Sequence, residues 1–241
     1  MYNVEKWIST TIKSISSQIY TNFQAIIIDD ISTDNTVKKV KKLIDNDNRF
    51  LLVENTIKKF ALRNIYDGII TAKASDEDVI VILDGDDWFL NENTLGIINS
   101  YYEKDKCLIT YGSHIEYPSG KRGNTYMKYP KEIIDNSAYR DYPIWLASHI
   151  RTFKYKLWKN IDTEDLLDSD GNFYEMTGDL ATMFPMLEMA QERQSYISEV
   201  IHVYNRANEL NDDKKDHRLQ LKIDREIRSK KKYKRLEEKN D

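Results

Sequence analysis

The sequence predicts an α/β fold: a mostly parallel β-sheet with helices packed on both faces. Three observations carry that expectation. Short continuous apolar runs at 25–28, 50–53 and 79–83 read as strands buried on both faces. Stretches with apolar residues at helical spacing separate them. Two of the runs end abruptly in aspartates, at Asp29-Asp30 and at Asp84-Gly85-Asp86-Asp87.

The elements follow in order. Val4, Ile8, Ile12, Ile15 and Ile19 form one helical stripe. Ala25-Ile26-Ile27-Ile28 is the first strand, and Ser32, Thr33 and Asp34 supply capping side chains for a helix facing inward through Val37, Val40 and Ile44. Phe50-Leu51-Leu52-Val53 is the next strand, and Leu62, Ile65, Tyr66, Ile69 and Ile70 stripe a third helix. Val79-Ile80-Val81-Ile82-Leu83 is the strongest strand signal. A helix through Leu95, Ile98 and Tyr102 and a strand at 108–111 come after it. This alternation implies right-handed crossovers between parallel strands.

The second half is less regular. Residues 121–142 are polar and Tyr-rich and read as a loop, and 145–158 read as helical. Leu180, Met183, Phe184 and Leu187 stripe another helix, which Pro185 is expected to kink. Ile197, Glu199, Ile201 and Val203 give a strand pattern. From about Asn211 the chain is a charged run with sparse apolar positions. It divides into a domain at 1–210 and a helical tail at 211–241, solvated or loosely docked.

The 241 residues carry 36 basic and 40 acidic side chains, a net charge of −4. That balance gives no pull toward nucleic acid or a membrane surface. No apolar run is long enough for a transmembrane segment, and no basic-then-apolar leader opens the sequence. The single cysteine, Cys107, lies in an apolar run and reads as a small buried hydrophobe in a reducing compartment. A cytoplasmic location is the expectation.

In an open parallel sheet, ligands bind beyond the carboxyl ends of the strands. Asp29, Asp30, Asp84, Asp86 and Asp87 are therefore expected to face one crevice. Crowding like charges is costly unless a cation neutralises them, and a hard divalent ion, Mn²⁺ or Mg²⁺, suits oxygen ligands. Gly85 is expected to permit the tight turn. Helix capping is the plain alternative for any single aspartate and is the reading for Asp34, but capping does not need three acids in four residues. Asp168-Ser169-Asp170-Gly171-Asn172 mimics a calcium loop and reads as a turn.

The stretch Asn22-Phe23-Gln24-Ala25-Ile26-Ile27-Ile28-Asp29-Asp30-Ile31-Ser32-Thr33-Asp34-Asn35-Thr36 closely resembles the nucleotide-binding signature of glycosyltransferase family 2. The spacing to Ala61-Leu62-Arg63-Asn64 and to Leu83-Asp84-Gly85-Asp86-Asp87-Trp88 also matches that family. The resemblance is strong from about Tyr2 to Trp88 and weaker to about Asn211. It implies a GT-A, Rossmann-like fold and an inverting, metal-dependent transfer from a nucleotide-sugar donor, with a UDP-sugar as the expectation. The acceptor would be a hydroxyl of a glycan, a lipid-linked sugar or a protein. By position, Asp30 resembles the acid that reads the base, Arg63 the arginine near base and diphosphate, and Asp84 the acid near the ribose. Asp86 resembles the metal ligand, with Asp87 its competitor.

Thr177-Gly178-Asp179-Leu180 looks like the family's later acidic motif, which makes Asp179 the catalytic base, with helix capping as the plain alternative. A helix N-terminus is expected to lower its pKa. His149 and Arg151 resemble the segment lining the acceptor side, and Asn208 stands where members often place a metal-binding histidine. The family also opens with an apolar strand before a Tyr-Asn pair, whereas Tyr2-Asn3 follow Met1 directly. The resemblance thus implies that a central strand, between 25–28 and 79–83, is missing from this sequence. Its place would be closed by pairing of the neighbours, by another chain, or by residues upstream of Met1, the last being the expectation.

Three rivals are weaker. A haloacid-dehalogenase-type phosphatase leaves Asp29-Asp30 unexplained, and a nucleotidyltransferase wants a Gly-rich basic loop that the sequence lacks. A degenerate module that binds a nucleotide or glycan without turnover is the alternative from another class.

Overall fold

The structure is a computed structural model and describes residues 1–123, 127–211, 214 and 216–237. In chain order the elements are α1 (Ile8–Ser16), β1 (Ala25–Asp29), α2 (Thr36–Leu43), β2 (Phe50–Glu54), α3 (Phe60–Ala72), β3 (Val79–Ile82), β4 (Trp88–Phe89), α4 (Thr94–Asp105) and β5 (Ile109–Tyr117). Then come α5 (Lys131–Asp135), β6 (Arg151–Lys154), α6 (Tyr155–Trp158), α7 (Gly178–Ala190), β7 (Gln194–Asn205) and α8 (His217–Ser229).

The α/β expectation holds, but the strand directions are mixed. β1 and β2 form a parallel pair by themselves, with Ala25 opposite Phe50 and Asp29 opposite Glu54. The second sheet has the order β3-β6-β5-β7-β4. Within it β5 and β7 run parallel, while β6 is antiparallel to both β3 and β5, and β4 to β7. The stretch 145–158, expected to be helical, instead supplies β6 and one helical turn. Thr152 explains the change. Fully buried, its hydroxyl lies 2.7 Å from the Tyr102 hydroxyl and 2.6 Å from that of Thr110, and pairing with two strands outweighs local spacing.

The main core is built on α7, which is buried from Leu180 to Ala190 and continues through Pro185 as one helix. Leu62 and Ile69 of α3, Ile109 and Tyr111 of β5 and Phe153 of β6 pack in the same core. The charged tail is not loosely docked, a correction to the expectation. Ile223 and Ile227 of α8 are buried in the core. Arg140 and Glu188 form a buried two-pronged ion pair at 2.6 and 3.0 Å, and Arg140 Nη1 also donates to the Ile227 carbonyl at 2.6 Å. Beyond α8, the Tyr233 N–H donates to Glu188 and the Leu236 N–H to the Met189 carbonyl. The charges that made this segment look solvated are partners for the body. No helix of the described residues is long and apolar enough to cross a membrane.

β1 and β3 do not pair with each other. Between their ends stands Met1, whose nitrogen donates to the Ile28 carbonyl at 2.7 Å and whose carbonyl accepts from the Asp30 N–H at 2.8 Å. Those two bonds are the pattern of a parallel ladder, made at a single position. The sheet is thus divided where the sequence reading placed a central strand, and direct pairing of the neighbours does not close it. Gly85 serves close approach and not a positive-φ turn: a Cβ there would lie 2.5 Å from the Met1 Cβ.

Candidate functional site

The turn after β3 carries three acids with three different surroundings. Asp84 is the most open, its side chain 43% exposed. Asp86 is partly buried, and its Oδ2 accepts from Asn208 Nδ2 at 2.7 Å. Burial first, and the neighbouring Asp87 second, push the Asp86 carboxyl up to about 7. Asp87 is fully buried and both its oxygens are engaged. Oδ2 lies 2.9 Å from His202 Nε2, and Oδ1 accepts the Asn205 N–H at 2.8 Å. As a competitor of Asp86 for an entering cation, Asp87 is therefore the weaker, because its lone pairs anchor the turn to β7. Asp87, His149 and His202 each offer a ligand atom, all within 4.8 Å of one another, a grouping that burial hides from solvent on the Asp87 and His202 sides.

β6 brings a cation to this turn. Arg151 pairs in register with Ile82, two residues before Asp84. Its guanidinium lies 3.6 Å from Asp84 and 3.6 Å from Asp179, so it bridges β3 to the start of α7. The N-cap position of α7 belongs to Thr177, whose side chain makes no cap bond, and Asp179 is the acid of the first turn, where its carboxyl also faces the backbone N–H groups. Burial raises the Asp179 pKa, while Arg151 pulls it down. The direction expected from the helix N-terminus is overturned because desolvation outweighs the dipole.

The other expected residues have the following surroundings. Asp30 is buried and fully engaged: Oδ1 accepts from Asn55 Nδ2 and the Lys59 N–H, both at 2.9 Å, and Oδ2 from the Phe60 N–H at 3.0 Å. Burial pushes its carboxyl up, but these bonds outweigh it and the pKa is lowered. A base N–H would have to share the Asp30 oxygens with those donors. Arg63 lies on α3, where it bonds to Asp67 at 2.8 Å and covers the Phe173 ring. His149 is partly buried among other rings. Its ring stacks on His202 and on Tyr204, with centroids at 5.2 and 4.7 Å, and burial holds it neutral. Arg151 is a buried bridge between two acids. Asp168 accepts N–H bonds from Asp170 and Asn172, an ordinary turn as read from the sequence.

Residues 1–171 match the family model described as Glycosyl transferase family 2. The chain belongs to that family. A glycosyltransferase of Haemophilus influenzae is 31% identical over 116 residues, 47% of this chain and 44% of that protein. WfgD of Escherichia coli, named as a UDP-Glc:alpha-D-GlcNAc-diphosphoundecaprenol beta-1,3-glucosyltransferase, is 34% identical over 116 residues, 47% of this chain and 42% of its own length. Each match thus spans less than half of the curated relative. Among solved structures, S. aureus TarS in complex with UDP-GlcNAc superposes with a TM-score of 0.61 at 18% identity, over 86% of this chain and 56% of that one. The mannosyltransferase PcManGT of Pyrobaculum calidifontis, solved with GDP-Man and Mn²⁺, gives 0.57 at 18% identity, over 85% and 54%. These likenesses show the GT-A fold.

Two features of this family 2 chain escape sequence reasoning. The Asp87–His202 bond spans 115 residues and the Arg151 bridge joins two motifs that nothing local relates. The alternation at Ile197, Ile201 and Val203 did place His202 on a strand, and that was the only available signal for its burial.

Proposed function

We propose that the chain transfers a sugar, with inversion, from a nucleotide-sugar donor to a hydroxyl acceptor. One observation carries this reading above the rest: Asp84 and Asp179, from two separate motifs, share one guanidinium at the carboxyl end of β3. UDP as the nucleotude carrier is supported by the UDP-GlcNAc bound in TarS and the UDP-Glc named for WfgD. A lipid-linked sugar is the favoured acceptor class, after the diphosphoundecaprenol compound that WfgD's name contains.

In the transfer, the acceptor oxygen bonds to the anomeric carbon as the bond to the nucleoside diphosphate breaks. Asp179 takes the acceptor proton, and its raised pKa makes it a stronger base. Asp84 is assigned to the ribose. Asp30 is assigned to holding the segment 55–60 that would flank the base, and Arg63 to the outer edge of that side. The donor set fits a hard cation: carboxylates crowd together, and Asp86 bonds to Asn208 through Oδ2 alone. Asp86 would hold Mn²⁺ or Mg²⁺, with Asn208 beside it, and the ion would offset charge on the departing diphosphate.

Asn208, and not a histidine, beside Asp86 favours a second reading, a module that binds a nucleotide or glycan without turnover. A panel of nucleotide sugars with Mn²⁺, scored by released nucleoside diphosphate, separates the two. Release above the buffer rate supports transfer chemistry, whereas UDP binding without release from any donor supports the module. Neither binding nor release would overturn both.

A further inference from the structure

The Arg151 guanidinium is supplied with more hydrogen-bond donors than the protein uses. It has five N–H groups, and its side chain is only 11% exposed. Its contacts among the described residues are the two ion pairs at 3.6 Å, both longer than a hydrogen bond, and its buried Nε has no partner. The small cavity behind it is walled by Ile65, Ile82, Phe153, Trp158 and Met183, with Thr182 the one polar neighbour besides Asp179. The Thr182 hydroxyl is already spent on the Gly178 carbonyl at 2.9 Å. Buried arginines normally have their donors satisfied, and the side where Asp84 stands, its side chain 43% exposed, is where a ligand can reach the guanidinium.

We propose that Asp84, Arg151 and Asp179 form the floor on which the donor sugar lies, and that Arg151 is a specificity-determining residue that reads the hydroxyls of that sugar. The inference rests on the glycosyl-transfer reading and adds the role of this row. Charge selects the ligand class. Two carboxylates flank one guanidinium, so the ionised row carries a net negative charge and disfavours a further anion such as a phosphate. Neutral hydroxyls, which both donate and accept, match an alternation of acceptor, donor and acceptor. The positions agree: Asp84 belongs to the nucleotide side and Asp179 to the base, and the transferred sugar must lie between them.

The experiment pairs donor analogues with Arg151 variants. Calorimetry measures the affinity of the wild type, R151Q and R151K for UDP, for UDP-glucose and for its ring-deoxy analogues, with UDP-N-acetylglucosamine as a second donor series. In the wild type, removing the hydroxyl that Arg151 reads should weaken donor binding about tenfold to a hundredfold. In R151Q that penalty should vanish, while UDP affinity stays within about twofold. R151K keeps the charge opposite two acids but not the planar fork, so it should fold and still lose most of the discrimination. The same penalty in R151Q or R151K as in the wild type would overturn the assignment. So would a loss of UDP affinity as large as the loss of donor affinity, which would place the guanidinium on the diphosphate. If the wild type binds neither UDP nor any donor, the glycosyl-transfer reading fails first and this role goes with it.

Discussion

Asp87 and His202 meet at 2.9 Å, both fully buried, and this contact locks the acidic turn after β3 onto β7. Burial pushes the His202 imidazole down to about 3, so it is neutral, and its Nε2 shares one hydrogen bond with the Asp87 carboxyl. Asp87→Ala would leave that ring nitrogen and the Asn205 N–H unpaired in the interior. The expected cost is about 3 kcal/mol of unfolding free energy, read by urea denaturation. Asp87→Asn retains one acceptor oxygen and should lose less. Equal losses from the two variants would mean that packing, and not hydrogen bonding, holds the turn.

The pH dependence at Asp86 has a definite sign. Its carboxyl is raised from 3.8 to about 7 in the metal-free protein, chiefly by burial. A group raised on folding lends stability that is fully present below its unfolded value and is lost as pH rises through the folded one. Relative to Asp86→Asn, the wild type should therefore lose thermal stability between about pH 4 and pH 8, and Mn²⁺ should restore it. Apparent Mn²⁺ affinity should climb with pH up to about 7 and then level off, because protons compete for the same carboxylate. A flat difference between the two proteins across that range would remove Asp86 from the metal assignment.

What the sequence made legible was whatever is local. The apolar runs that became β1, β2 and β3 and the strand at β7 were read from periodicity, and the acids at 84–87 from their position after a strand. What stayed hidden depends on distant partners. Leu146, Ile150, Phe153 and Leu157 keep helical spacing, yet β6 forms there because Thr152 and Phe153 pair with β3 on one side and β5 on the other. Arg140 and Glu188 look like surface charges in the sequence and are buried only because each faces the other. Asp30 was recognisable as a site acid, but not that segment 55–60 would satisfy its oxygens.

Asp179 should separate catalysis from folding. The acid lies in the first turn of α7, where an asparagine can still accept from the backbone N–H groups. Asp179→Asn keeps the size and one acceptor oxygen but cannot take a proton. Folding and UDP affinity should survive, while transfer falls by roughly 10²–10⁴-fold. Turnover near that of the wild type would end its role as the base.

The divided sheet makes the last prediction. Ala25 and Asp29 bond through their backbones toward β2, so alternation turns the amides of Ile26 and Ile28 to the other edge, toward β3. Among the described residues only the Met1 position offers ladder bonds there, and β3 pairs with β6 alone. Hydrogen exchange should accordingly be faster at the Ile26 and Ile28 amides than at Ile27, although all three side chains are similarly half-buried. An apolar strand of about five residues fused ahead of Met1 should slow both amides at least tenfold. It would also convert the buried Met1 ammonium, whose pKa burial lowers, into a neutral amide that donates the same bond to Ile28. Removing that desolvated charge and pairing two edges both favour the folded state, so the melting temperature should rise as well. Unchanged exchange at Ile26 and Ile28 in the fused protein would show that the gap does not accept a strand.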